Sequence, residues 1–207
     1  WSSDVCSSDL ERRRGSIGAG TGAVAGGLSG GIGMASATLV LNNEHGEPTR
    51  VTVAALCVVN ARGSLINPLT GRPWEAHPGI KTPNTNDRRR LASHLNDIET
   101  ASLNTTIGVV ATDARLDRSE ATRLAMSTHD GLSRAIRPVH TVADGDTMFA
   151  MATGAVDLGV TERTIALTRL SALAADVTAL ACVDAVVHAS PMATVPSYTS
   201  LCPSALR

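Results

Sequence analysis

The sequence predicts a layered α+β fold, with helices packed on the faces of a sheet. Three observations predict it. Four short segments are apolar or β-branched and bounded by turn residues, two longer segments carry apolar residues at helical spacing, and the order is strand, strand, strand, helix, strand, helix. A chain of 207 residues is long enough for one domain with a substantial core. Hydrophobic residues make up 43% but aromatics only 2%, so Ala, Val, Leu and Ile must build that core.

Taken in order, residues 15–33 (GSIGAGTGAVAGGLSGGIG) are rich in glycine, which permits close backbone packing or lines a site. Residues 36–42 and 51–59 read as strands, with a hairpin loop over 43–48. Residues 61–104 contain Pro68, Pro73, Pro78 and Pro83 and read as a long irregular, mobile loop, most solvated from Asn84 to Arg90. Loops of that length are functional or disordered. Residues 106–112 form a third strand. Asp117 opens a helix with Glu120 as its capping-box partner, and Ala121, Leu124, Ala125, Thr128, Leu132, Ala135 and Ile136 share one face up to Pro138. A fourth strand covers 146–153. A long helix follows from Thr161 to about Ala189, with Ile165, Leu173, Val177, Leu180 and Val187 near one stripe. Residues 1–10 (WSSDVCSSDL) resemble a translated sequencing-adapter tag of the kind found on metagenomic fragments, so they are set aside from the fold.

Composition narrows the function classes. A net charge of −1 and no basic stripe argue against a nucleic-acid partner. No run of 18 apolar residues points to a membrane span. Cys6, Cys57, Cys182 and Cys202 show no metal-ligand spacing and read as reduced thiols of a cytoplasmic protein. The six histidines include no HExxH pair, so no metal is expected, and the glycine pattern fails as a dinucleotide loop, so no cofactor is expected.

Three places carry chemistry. Thr105 opens a strand straight after the long loop, which a plain loop-to-strand transition explains. If the Asn104–Thr105 bond breaks, however, the new α-amine, with an ordinary pKa of about 8, can take the hydroxyl proton and activate Thr105 as a nucleophile. Asp144-Gly145-Asp146 reads either as a solvated turn or as a carboxylate pair that orients and charge-balances Thr105. Asn60, at the end of the second strand, is either a turn residue or an oxyanion donor.

These residues lie within longer motifs: GAGTGAVAGG (18–27), GGIGMAS (30–36), VVNARG (58–63), NTTIGVVATDA (104–114), HDGLSRAIRPVHTVADGDTMFAMATG (129–154) and CPSALR (202–207). Together they resemble the DmpA-type, or β-peptidyl aminopeptidase, hydrolases, a family that includes the nylon-oligomer hydrolase type with a threonine nucleophile. The resemblance implies a precursor that cuts itself before the nucleophile. Residues 11–104 would be the C-terminal part of an α chain and 105–207 the β chain, in one domain. It implies Thr105 as nucleophile, Asn104 as the residue before the cut, and Asp144, Asp146 and Asn60 as supporting residues. The implied fold is a four-layer α/β/β/α sandwich, here incomplete at its N-terminus. The implied assembly is a homo-oligomer of αβ units acting on small peptides or amides. Ser29 stands where the family usually has a lysine, and serine cannot carry that positive charge. Two other readings are weighed beside the amidase: an acyltransferase of the ornithine-acetyltransferase type, and an unprocessed relative silenced at Ser29.

Overall fold

The computed structural model describes residues 14–42, 45–96, 104–159 and 163–206. The suspected adapter segment, 1–10, lies outside the described residues. Within the glycine-rich stretch, a short 3-10 turn at Gly18–Gly20 leads to a small antiparallel ribbon, β1 (Val24–Ala25) and β2 (Leu28–Ser29). The main sheet follows with β3 (Gly31–Asn42) and β4 (Pro48–Asn60), a long hairpin in the register Asn42↔Pro48 to Gly31↔Val59. Helix α1 is Thr85–Asn96. Strand β5 (Thr105–Ala114), helix α2 (Arg118–Ala135) and strand β6 (Thr147–Val156) make a β-α-β crossover, and α3 (Arg163–Val187) is the longest helix. A short turn of helix, α4 (Tyr198–Leu201), precedes the C-terminus.

Sheet order is β3-β4-β5-β6. The first three strands are antiparallel neighbours, while β5 and β6 run parallel. Helices α2 and α3 pack on each other and on one face of this sheet, α3 over β3 and β4, α2 over β6. Alternation along the strands sends Val51, Val53, Ala55, Cys57, Val59, Val110 and Met148 into that helical layer. The fold is mixed α+β, and the described residues form one sheet layer and one helical layer of it. The opposite face of the sheet is apolar and open: Leu56, Ile107, Phe149 and Met151 all project there and are exposed. A sheet face of that composition is suited to packing against another layer.

Small residues let the helices come close. A Cβ on Gly33 of β3 would lie 2.0 Å from the Ala181 carbonyl oxygen of α3, and one on Gly131 of α2 would lie 2.3 Å from the Ala175 oxygen. With so few aromatics, close approach is how this core reaches packing density. Its α3 is apolar over a window long enough to cross a bilayer, but 78% of that window is buried inside the protein, as expected of a core helix. Ile165 departs from the predicted stripe: it is 58% exposed, while its neighbour Ala166 is buried.

Over 61–96 the structure corrects the reading of 61–104 as a long mobile loop; residues 97–103 lie outside the described residues. Residues 64–80 are tied down by bridges from Ser64 to Arg137, Ile66 to Pro73 and Ile80 to Leu206, and α1 occupies 85–96. Asp87, placed in the most solvated part by sequence, is buried. The Asn84 side chain accepts from the Asp87 N–H, and Asp87 Oδ2 accepts from the N–H and hydroxyl of Ser204. Those bonds from Ser204 hold the Asp87 carboxyl below its ordinary range. The missed signal was the N-cap pattern Asn84-x-x-Asp87 directly after Pro83. Asp117 behaves as predicted, with both bonds of its capping box to Glu120 formed.

One buried acid fastens α3 to the edge of the sheet. Asp184 Oδ2 accepts from the Met34 N–H at 2.9 Å, while Oδ1 meets Arg14 at 2.9 Å and His188 at 3.1 Å. Burial alone would raise its pKa, but the bonds from His188, His77 and the Met34 N–H outweigh it and hold the carboxyl well below the carboxylate range. The same carboxylate raises the His188 pKa. The signs differ for the two partners. The Asp184 contribution is present above an unfolded pKa of about 3.9 and is lost as pH falls through the depressed folded value. The His188 contribution is present below about 6.5 and is lost as pH rises through the raised folded value. Asp184→Asn is therefore expected to lower stability by about 3 kcal/mol near pH 5 and to flatten the pH dependence below about 4 and above about 6.5, read from urea midpoints on either side of that range.

Candidate functional site

Asn104 and Thr105 sit where β5 begins, and three segments distant in sequence converge there. Because β5 and β6 are parallel, their first residues lie at the same end of the sheet. Because β4 is antiparallel to β5, its last residue, Asn60, arrives at that end as the partner of Thr105. The turn before β6 extends the parallel pairing by one bridge, Asn104 to Asp144. In that bridge the Asn104 N–H donates to the Ala143 oxygen at 3.1 Å, and the Gly145 N–H donates to the Asn104 oxygen at 3.1 Å. The Thr105 hydroxyl donates to the same Asn104 oxygen at 2.5 Å. Asn104 is buried, at 7% exposure, although it belongs to a loop.

The carboxylates do not touch the Thr105 hydroxyl directly. Asp146 Oδ1 accepts from the Thr106 N–H at 2.8 Å, so it anchors the residue after Thr105. Its Oδ2 lies 2.8 Å from Nδ1 of His140, whose Nε2 is 3.2 Å from Nδ1 of His129. Both contacts are satisfied when each imidazole carries a proton on Nδ1. Burial, then the neighbouring His140, push the His129 pKa down. Asp144 is spent on the loops: Oδ1 accepts from the Arg62 N–H at 3.3 Å and Oδ2 from the N–H and hydroxyl of Thr141. The structure thus brings Asp144 and Asp146 beside Asn104–Thr106, Asp146 as an anchor of the Thr106 backbone and Asp144 as an anchor of the Arg62 and Thr141 loops.

Asn60 faces the same side of the sheet as Thr105, since directly paired residues share a face. Its Oδ1 accepts from the Val24 N–H of β1 at 3.0 Å, which leaves its amide hydrogens turned the other way. Ser29 is fully buried in β2 and is held by the 195–196 segment. Its hydroxyl donates to the Val195 oxygen and its N–H to the Pro196 oxygen. Lys81 is exposed, on a segment fixed by its N–H to the Ala205 oxygen. Sequence reading missed His140, His129 and Gly145. The string HTVADGD placed the first and last of these close to the carboxylates, but only the positive φ of His140 (52°) turns its ring back onto Asp146.

The sequence profile of peptidase family S58 matches residues 3–199. The chain belongs to peptidase family S58. Among its S58 relatives, an uncharacterised aminopeptidase of Mycobacterium bovis is 43% identical over 206 residues, covering 92% of this chain and 57% of its own length. A 6-aminohexanoate-oligomer endohydrolase of a Kocuria species is 31% identical over 115 residues, covering 54% of this chain and 32% of its own length. This S58 chain thus spans little more than half the length of the curated relative it matches across most of its residues. In fold it is similar to a β-aminopeptidase of a Burkholderia species, with a TM-score of 0.61 and 24% identity over 91% of this chain and 52% of that one. It is also similar to the L-aminopeptidase D-Ala-esterase/amidase of Ochrobactrum anthropi, described as a variant of the Ntn-hydrolase fold, with a TM-score of 0.59 and 22% identity over 89% of this chain and 47% of that one.

The residue after Thr105 gives a simple test of the local packing. Thr106 is fully buried on the helical side, and its hydroxyl has no hydrogen-bond partner among the described residues. A buried hydroxyl without a partner carries a desolvation cost that a methyl group does not. Thr106→Val should leave stability unchanged or raise it by about 1 kcal/mol, measured as a shift in the urea midpoint.

Proposed function

We propose that this chain carries the self-cleavage site and nucleophile of an N-terminal-nucleophile amide hydrolase, cut between Asn104 and Thr105 and acting on small peptides or amides. The observation that carries this reading is the hydrogen-bonded setting of Asn104, a buried residue whose N–H donates to the Ala143 oxygen and whose carbonyl accepts from the Gly145 N–H and from the hydroxyl of the next residue. Family membership and the Ntn-type fold of its structural relatives support the same reading.

The chemistry divides into two stages. In the first, Thr105 Oγ1 bonds to the Asn104 carbonyl carbon, the C–N bond breaks, and the hydroxyl proton passes to the Thr105 nitrogen. Water then hydrolyses the ester, giving an Asn104 carboxylate and a Thr105 α-amine. In the second, that amine accepts the hydroxyl proton as Oγ1 attacks a substrate amide, and water releases the acyl group. Asn60, with Oδ1 held by Val24, presents its amide hydrogens as oxyanion donors. Asp146, aligned by His140, fixes the backbone that carries the nucleophile. In this reading residues 11–104 and 105–207 form the two chains of one domain, and a second sheet covers the open apolar face to complete a four-layer sandwich. Assembly into a homo-oligomer of αβ units is part of the same proposal. The free, buried state of Cys57, Cys182 and Cys202 supports a reducing, cytoplasmic setting.

One observation favours a second reading, an uncut relative: Ser29 is neutral and its hydroxyl is already engaged by Val195, so no cation stands at that position. Purification of the full-length protein and N-terminal sequencing of its fragments decide between the two. The expected result is a fragment beginning Thr105-Thr106-Ile107, absent in Thr105→Ala and retained in Thr105→Ser. An uncut chain establishes the second reading. For the cut protein, kcat/KM is expected to rise with pH through the amine pKa, about 8, because only the neutral amine acts as a base.

A further inference from the structure

Among the described residues the Thr105 hydroxyl and the Gly145 N–H both donate to the Asn104 oxygen, and the attack consumes the first. While the bond is intact, Thr105 Oγ1–H and Gly145 N–H both point at that oxygen, at 2.5 and 3.1 Å. As Oγ1 bonds to the carbonyl carbon, its proton leaves and negative charge develops on the oxygen. The Gly145 N–H stays on that oxygen.

The geometry points to Gly145 as a catalytic residue of self-cleavage: its N–H is the oxyanion donor for the Asn104 carbonyl, and its missing side chain leaves the Thr105 hydroxyl room to attack. This rests on the reading of Asn104–Thr105 as the bond that is cut. Three features support it. The donor is already in place before reaction, as electrostatic stabilisation requires, because the 141–147 turn is braced by Asp144 N–H to the Thr141 oxygen, Thr141 to Asp144 Oδ2, and the Thr147 hydroxyl to the Gly145 oxygen. The carbonyl cannot swing away, because the N–H of the same residue, Asn104, is held by the Ala143 oxygen. Finally, a Cβ on Gly145 would stand 3.1 Å from Thr105 Oγ1 and 3.8 Å from its Cγ2, closer to the hydroxyl than nearly all real contacts of that kind. Gly145 does not need to be glycine for its own backbone, since it is not among the residues with positive φ. The constraint comes from the neighbouring hydroxyl. Gly145 is also solvent-exposed, so water for ester hydrolysis has a route to the site.

The bond changes balance without a co-reactant other than water. Oγ1–C forms and C–N breaks, with the hydroxyl proton moving to nitrogen. Water oxygen then adds to the Asn104 carbonyl carbon, C–Oγ1 breaks, and a water proton returns to Oγ1.

The test compares cleavage rates of the full-length precursor, freshly translated, by gel. Replacing Gly145 with glycolic acid during translation exchanges its N–H for an ester oxygen and adds no bulk. The expected rate is lower by roughly 10² to 10³-fold, with an unchanged melting curve. Gly145→Ala keeps the N–H and adds only the Cβ, and it too should slow cleavage. Native-rate cleavage of the glycolate chain overturns the role of the N–H while leaving the Asn104–Thr105 cut established. If the glycolate chain does not fold, Gly145→Ala decides, and native-rate cleavage there overturns the proposal. A precursor that never cuts before Thr105 overturns both this proposal and the reading it rests on.

Discussion

Parallel pairing of β5 with β6 is the constraint on which the site depends. In a parallel pair the two strands start at the same end, so the segments that precede them are forced together. One of those segments is Asn104, the other Asp144-Gly145-Asp146, and the crossover through α2 is what allows strands adjacent in the sheet to run the same way. The antiparallel β4 then delivers Asn60 to that end from the opposite direction. Three short segments separated by about 40 residues of chain each thus meet without any of them needing a special conformation of its own. The bonds that lock them are modest ones, from backbone N–H groups to carbonyls and carboxylates. Their combined effect is to hold one peptide carbonyl in a single orientation.

Electrostatics around this carbonyl is arranged indirectly. Both carboxylates accept backbone hydrogen bonds, from Thr106 and Thr141 and from Arg62, and the Thr105 hydroxyl donates to the Asn104 oxygen instead. Their charge is nevertheless close to where an ammonium would form at Thr105 N. His140 is the group positioned to share it, through the Asp146 contact, and the depressed pKa of His129 keeps the outer imidazole of that pair from adding a competing charge. Ser29 contributes no charge. It serves packing, tying the β1–β2 ribbon to the 195–196 segment.

The same sheet has two faces with different tasks. The helical face is closed by small residues: Gly33 and Gly131 admit α3 at distances no side chain permits, and Asp184 fastens α3 to the outer edge of β3 through the Met34 N–H. The other face keeps Leu56, Ile107, Phe149 and Met151 in the open, and Thr105 and Asn60 stand at its end. The apolar face and the reactive end are therefore continuous, so whatever covers that face also walls the site.

The four main strands and the two long helices were legible in the sequence, and so were candidate residues for the site. Apolar, β-branched runs bounded by turn residues marked the four strands, the Asp117–Glu120 box marked α2, and long motifs singled out Asn60, Asn104, Thr105, Asp144 and Asp146, because such signals are local and survive in a one-dimensional string. Helix α1 was hidden by the prolines around it, and its Asp87 is held by Ser204, more than a hundred residues away. Only the tertiary structure decided which atom meets which: that the acids anchor backbone, that Gly145 faces the Asn104 oxygen, and that His140 turns onto Asp146. Those outcomes depend on strand direction and register, which couple residues through space and leave no mark on the spacing between them.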